Sequence, residues 1–363
     1  MVVGLGLALS TGAMAGDEVK EDPYLWLEGV TDPQALEWVE GQNAVTLAEL
    51  TKAKGYPELR DRLRSILDSK ERIPAVSEIG GLLYNLWQDA DHVQGIWRRT
   101  TMAEYRKAEP AWETVLDLDA LSAAEGTTWV FHGATCLSPA DRLCLVSLSP
   151  GGSDADTIRE FDLESKRFVE GGFTVPEAKN SASWIDRDHL FLMTDTGAGS
   201  LTSSGYPRQV RLWTRGTPIS AASLVYEGQP DDVSVSGYKD LTPGFEREFI
   251  SRGITFYTSE TFLRRDGQLI KLDVPLDANV GTHREWLLVE LRTPWTVCDR
   301  TFEAGSLLVT NFEDFLKGNH TFEALFEPTE RTALAGYTGT RNAIVVSEMD
   351  NVRSRLYVLR HGN

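Results

Sequence analysis

Positive charge is in short supply in this chain. Over 363 residues, 36 Lys and Arg face 54 Asp and Glu, a formal net charge of −18. Arg98-Arg99 and Arg264-Arg265 are isolated pairs, and no basic run offsets the excess locally. Such a balance repels phosphate backbones and anionic lipid, which argues against nucleic acid and membrane as partners. Cysteine is scarce too: Cys136, Cys144 and Cys298 are too few for a disulfide framework. No apolar run approaches the roughly 20 residues that span a bilayer. The rest is ordinary, with 41% apolar and 25% charged residues. That composition argues against disorder and leaves room for a large core.

Sequence signatures of chemistry are missing as well. G-x-S-x-G, H-x-x-x-H, H-E-x-x-H and C-x-x-C do not occur. Gly197-Ala198-Gly199-Ser200 lacks the spacing of a nucleophile elbow, so Ser200 reads as part of a polar loop. Gly151-Gly152-Ser153 reads as a strand connection rather than a phosphate-binding turn. The histidines His92, His132, His189, His283, His320 and His361 are dispersed. His189 and His283 read as turn histidines at strand starts. The pairs Asp154/Asp156 and Asp186/Asp188 can offer oxygens to Ca²⁺. In β-turns such pairs are ordinarily solvated, and Asp231-Asp232 reads the same way. No residue is therefore assigned a catalytic, cofactor-binding or metal-ligating role, and no cofactor is expected.

The amino terminus has the parts of a secretory signal without its basic start. Val2 to Leu9 is a short apolar run, Ala13-Met14-Ala15 is an A-x-A cleavage site, and no Lys or Arg precedes Lys20. Export to the periplasm or exterior is the expectation, with cytoplasmic retention as the alternative. Residues 1–15 are read as the signal, 16–72 as a helical segment and 73–363 as the main domain.

Helical spacing is confined to that second segment. Leu36, Val39, Ala44, Leu47 and Leu50 recur on one face, with Asp32 as N-cap and Pro33 in the first turn. A second helix is predicted from Pro57 to about Leu67. From Ile73 onward the pattern becomes short strands, among them Leu82–Trp87, Leu143–Leu148 and Leu190–Met193. Turns between first and second strands are placed near Gly80, Asp141, Asp188, Gly253, Arg284 and Arg341. Their average spacing of about 50 residues is the period of four-stranded propeller blades. The fold class is all-β, with a propeller favoured over an array of sandwiches. Asp141 stands where propeller hairpins place glycine, so a positive φ is expected there. Trp87, Trp184, Trp213 and Trp286 are expected to fill gaps between blades. Across the turn at Asp141, Cys136 faces Cys144. The two are read as half-buried thiols, with a bridge sterically open in an oxidising compartment.

Six stretches carry a resemblance. Asp22-Pro23-Tyr24-Leu25-Trp26-Leu27-Glu28-Gly29 and Ala35 to Asn43 resemble the opening segment of prolyl oligopeptidase-family serine peptidases. Arg292 to Val297, Gly305 to Val309 and Leu325 to Arg331 look like a fifth blade of that family. Asp350 to Leu356 is similar to a strand pair of the next blade. The resemblance implies a seven-bladed propeller that filters short peptides over an α/β-hydrolase domain with a Ser-Asp-His triad. This chain would hold five blades and most of a sixth, and no hydrolase domain. It is then the propeller region of such an endopeptidase, non-catalytic alone, meeting peptide substrates through the missing domain. An unclosed ring would leave an unpaired edge, and poor solubility or association is expected. The alternative is a stand-alone exported propeller that binds peptides or carbohydrate.

Overall fold

The computed structural model describes residues 22–360, which fall into two units meeting between Lys70 and Glu71. In the first, a 3₁₀ turn at Leu25–Glu28 precedes helices α1 (Pro33–Leu50) and α2 (Tyr56–Leu67). Asp32 caps α1 by accepting from the backbone N of Gln34 (2.8 Å) and Ala35 (3.2 Å). Pro33 follows in the first turn, where its missing N–H costs nothing. Trp26 meets Trp38 edge-on with ring centroids 6.2 Å apart.

The second unit is a propeller of six antiparallel sheets in chain order. Blade 1 comprises Ser77–Ile79, Leu82–Trp87, Ile96–Thr100 and Glu113–Asp117. Blade 2 comprises Trp129–Cys136, Leu143–Pro150, Asp156–Asp162 and Arg167–Phe168, with Thr174–Ala178 as an added strand. Blade 3 is Ser181–Asp186, His189–Met193, Gln209–Thr214 and Ser223–Glu227, and blade 4 is Ser234–Asp240, Arg247–Gly253, Ser259–Arg265 and Gln268–Lys271. Blade 5 is Asn279–His283, Trp286–Glu290, Leu307–Asn311 and Glu323–Phe326. Its second and third strands are separated by a hairpin, Trp295–Val297 with Arg300–Phe302. Blade 6 has three strands among the described residues: Thr332–Thr340, Ala343–Asp350 and Arg353–Arg360.

Strand alternation explains how the blades stack. In blade 2, Cys144, Val146 and Leu148 pack into a core shared with blade 1. Leu145, pointing the other way, enters the core shared with blade 3. Blade 3 repeats the logic, with Leu190 and Leu192 facing blade 2 and Phe191 and Met193 facing blade 4. Leu287 and Val289 of blade 5 pack on blade 4, while Leu288 packs on blade 6. The middle of each second strand is mainly apolar because both of its faces are buried. Each of the five junctions thus has its own core.

Chain direction also sorts the connections onto two faces. Within each blade, first-to-second and third-to-fourth turns lie at one end, here the distal face. Second-to-third connections and blade-to-blade crossings lie at the other, proximal face, where the chain enters blade 1.

Several expectations needed correction. The turn assigned to Gly253 lies instead at residues 241–246, and Gly253 closes the second strand of blade 4. Pro243 followed by Gly244 (φ 83°) makes that turn, with Phe245 N donating to Thr242 O at 2.9 Å. The propeller also contains helices, α3 (Met102–Tyr105), α4 (Leu118–Glu125) and α5 (Phe312–Leu316). Cys136 and Cys144 are not free thiols but are joined by a disulfide across the hairpin. They are partners in register, as the turn at Asp141 implied. Asp141 itself has φ 50°, the left-handed conformation expected of it. Trp184 and Trp213 fill the junction between blades 2 and 3. Trp87 does not: it lies under Arg98, whose guanidinium is 4.2 Å from its ring. Trp286 is half-buried.

Candidate functional site

First strands of successive blades lie side by side and form the inner wall. Trp184 Nε1 of blade 3 donates to Thr135 O of blade 2 at 2.9 Å. Ser183 Oγ donates to Gly237 O of blade 4 at 2.6 Å, and Thr282 Oγ1 of blade 5 donates to Asp240 Oδ2 at 2.8 Å. Gly237 is obligatory here, because a Cβ would sit 2.6 Å from Val210 Cγ1 and 3.1 Å from Phe191 Cγ. The exposed side chains of this wall include Ser77, Thr135, Ser181, Tyr238, Asn279 and Thr338, all uncharged. Two of the wall's acids are occupied locally. Glu78 accepts from Gly81 N at 2.7 Å, and Asp186 accepts from Asp188 N at 2.8 Å. These groups offer hydrogen bonds without a net charge.

His132 adds an ion-pair partner to this wall. A bulge between Phe131 and Gly133 turns it out of the first strand of blade 2. Its Nδ1 lies 2.6 Å from Asp156 Oδ1, a carboxylate in the third strand. Burial pushes the Asp156 carboxyl above its ordinary range, although His132 pulls the other way. Asn180 Nδ2 donates to the Asp156 carbonyl at 2.5 Å.

On the distal face, clefts open beside the blades. One of about 500 Å³ between blades 2 and 3 is lined by Arg142, Glu160, Asp162, Arg187 and Arg215. Its two acids are both paired, Glu160 with Arg215 and Asp162 with Arg142, and Arg187 leaves the lining with one positive charge in excess. A second, of about 510 Å³, lies between blades 5 and 6, lined by Trp286, Glu323, Ile344 and Leu359 among others.

Of the residues weighed from sequence, the structure brings His132 to Asp156 and His189 to Asp186, and neither pair has a nucleophile among its described contacts. Ser200 is buried, its hydroxyl donating toward Asp195 Oδ1 at 2.9 Å and accepting from Thr196 N at 3.0 Å, so it organises its own loop. Asp154 points outward toward Lys179 Nζ at 3.9 Å. Asp188 is paired with Arg215 at 3.2 Å, and Asp232 takes a two-pronged bond from Arg252 at 2.8 and 2.9 Å. His189 and His92 rest on Asp186 and Asp89 at 2.9 and 3.0 Å. His361 lies outside the described residues. Among the described residues, no three His, Cys, Asp or Glu side chains gather to hold an ion.

A model of the prolyl oligopeptidase N-terminal β-propeller domain matches residues 11–244. The chain belongs to the prolyl oligopeptidase family. It is 36% identical over 346 residues to an uncharacterized peptidase, y4nA, of Sinorhizobium fredii, covering 92% of this chain and 48% of that protein. It is 30% identical over 351 residues to an uncharacterized peptidase, RP174, of Rickettsia prowazekii, with 91% and 48% covered. A post-proline cleaving enzyme from Rickettsia typhi superposes with a TM-score of 0.88 at 29% identity, covering 93% of this chain and 52% of that one. The chain therefore spans about half the length of the relatives it matches.

Within this prolyl oligopeptidase-family propeller, sequence reading overlooked the His132–Asp156 pair and the arginines that tie blades together. Arg215, Arg265 and Arg99 each stand within one residue of the end of a third strand. Arg265 takes Glu313 of blade 5 at 2.7 and 3.0 Å, and Arg99 Nη1 donates to Leu163 O of blade 2 at 3.0 Å. Their recurring place in the blade was the available signal.

Proposed function

We propose that this chain is the propeller half of a prolyl oligopeptidase-like serine endopeptidase. It admits short peptides to a hydrolase active site that it does not itself contain, and it breaks no bond alone. The observation that carries this reading is the inner wall: exposed side chains that are mainly polar and uncharged, on six blades packed through five cores. Such a wall offers an extended chain hydrogen bonds without a charged trap. The missing nucleophile elbow supports the second half of the reading, since acyl transfer needs an activated serine beside an oxyanion hole. In the whole enzyme the substrates are short peptides, cleaved typically after proline, and export is proposed from residues 1–15.

The test pairs the chain with the part of the Sinorhizobium fredii relative that it does not span, produced as a separate polypeptide. Cleavage of a proline-containing octapeptide and of the same sequence within a folded protein is followed with and without the chain. The expected result is that adding the chain suppresses cleavage of the folded substrate and spares the octapeptide. Equal suppression of both, or of neither, would refute the gating role.

A further inference from the structure

Two glycines bring rings from neighbouring blades onto the inner wall. The Tyr337 hydroxyl of blade 6 lies over Gly281 of blade 5, 3.0 Å from where a Cβ would stand. In return, the His283 ring of blade 5 lies over Gly339 of blade 6, with Nδ1 2.6 Å and Cε1 3.1 Å from the equivalent point. A bulge between Leu334 and Gly336, whose φ is 149°, precedes Tyr337 and re-aims it toward blade 5. On the other side of blade 5 stands Tyr238 of blade 4. It pairs in register with Phe249 and stacks on it, ring centroids 5.3 Å apart and planes inclined at 27°. Phe249 covers one ring face, and Tyr238 keeps 39% of its surface exposed on the wall.

The two phenols are donors without acceptors. Neither hydroxyl has a hydrogen-bond partner among the described residues. Desolvation by the surrounding blades pushes the Tyr238 phenol up to about 12, with Asp240 and Tyr337 adding to the rise. Desolvation likewise raises Tyr337, with Glu290 adding to it. Both therefore keep their protons at neutral pH. The acids nearby are already engaged. Asp240 accepts from Thr282 Oγ1 at 2.8 Å and from Thr242 N at 2.9 Å, and Glu290 accepts from Asn279 Nδ2 at 3.1 Å. An exposed ring beside unpaired donors is the composition of a binding subsite rather than of a packed wall.

We infer that Tyr238, Gly281 and Tyr337 form a subsite for an uncharged, extended peptide segment bearing an aromatic side chain. The ligand's ring stacks on Tyr238, and a backbone carbonyl accepts from the Tyr337 hydroxyl, which Gly281 leaves room to reach. The inference rests on the function proposed above and adds a preference to it, since a uniformly neutral passage would treat aromatic and aliphatic peptides alike. The occupant follows from the chemistry of the wall. A peptide carbonyl needs only a donor, which is what the phenols supply. A sugar also needs acceptors for its hydroxyl protons, and both neighbouring acids are taken. A charged side chain would give up hydration there without gaining a free counter-ion.

The test follows binding of a blocked, uncharged peptide to this chain by fluorine NMR titration. The probe is acetyl-Gly-Phe-Gly-amide with para-fluorophenylalanine at the centre. Unlabelled peptides with Phe, Ala or Glu at the centre compete with it. The expected result is that the Phe peptide competes about fivefold more strongly than the Ala peptide and that the Glu peptide does not compete. Tyr238→Leu removes the ring and Tyr337→Phe removes only a hydroxyl; each should weaken binding about fivefold. Tyr337→Phe keeps its ring beside Gly281 and should keep the wild-type melting temperature, so it decides the matter if Tyr238→Leu fails to fold. Equal competition by the Phe and Ala peptides, wild-type binding by Tyr337→Phe, or no binding at all would overturn the subsite. Each of these would leave the gating role standing, because the cleavage assay reads that role separately. Equal displacement of the probe by an uncharged oligosaccharide would overturn peptide as the occupant.

Discussion

Arg215 of blade 3 reaches into blade 2 and grips Glu160 with two bonds, 2.8 Å from Nη1 to Oε2 and 3.0 Å from Nη2 to Oε1. The Glu160 side chain is 1% exposed, and its Oε2 also accepts from Phe173 N at 2.8 Å. A carboxylate so deep is tolerable only while its partners remain. Arg215→Ala should therefore cost about 3 kcal/mol, read as a lower urea midpoint at unchanged m-value. Glu160→Gln, which leaves no buried charge, should cost less. If the two variants were equally stable, the clasp would be a surface pair in effect.

Gly237 is the closest approach between the inner strand of blade 4 and blade 3. A methyl group there meets Val210 Cγ1 at 2.6 Å, Phe191 Cγ at 3.1 Å and Ile250 Cδ1 at 3.2 Å. Gly237→Ala should lose about 1–3 kcal/mol by overpacking. Gly41→Ala, in an open stretch of α1 with nothing within 4 Å, should gain up to about 1 kcal/mol of helix stability. Thermal unfolding and helix-band dichroism separate the two effects, and a neutral Gly237→Ala would contradict the packing of this junction.

The bridge between Cys136 and Cys144 closes a loop of sequence separation 8. Loop entropy for that length predicts about 2.5 kcal/mol of stabilisation. Thiol titration of the oxidised, denatured chain should find one free thiol, Cys298, and three after reduction. Three before reduction would mean the pair remains reduced in solution.

Acid should loosen particular junctions. Arg99 and Lys166 hold the Glu113 carboxyl down at about 2, and Arg265 holds Glu313 below its ordinary value. Both folded values lie beneath the unfolded one, so each contributes stability that is present above about pH 4.5. That contribution is lost as pH falls, over the range from about 4.5 to 2 for Glu113. Glu113 is half-exposed and its share is modest. The double variant Glu113→Gln/Glu313→Gln should show a flatter fall in melting temperature from pH 5 to pH 2. An unchanged slope would assign the acid response to other carboxylates.

What was legible in the sequence was whatever repeats locally. The second strands announced themselves because both faces are apolar, and α1 because Asp32-Pro33 opens it. The short helices were harder. Asp117 caps α4 and Gly126 (φ 66°) ends it, but eight residues give too little periodicity to stand out among strands. Gly253 misled because a glycine at a strand end looks like a turn, while Pro243-Gly244 made the real one. Pairings across blades, such as Arg215 with Glu160 at a separation of 55 residues, depend on the fold and leave no mark in local pattern.

Hydrolysis by the pure chain tests the central claim most directly. The chain is incubated with a fluorogenic proline-containing peptide and product release is followed against a buffer control. The account predicts no turnover above the control, since the sequence holds no nucleophile elbow and Ser200 is committed to its own loop. Turnover that scales with the concentration of the chain would contradict it.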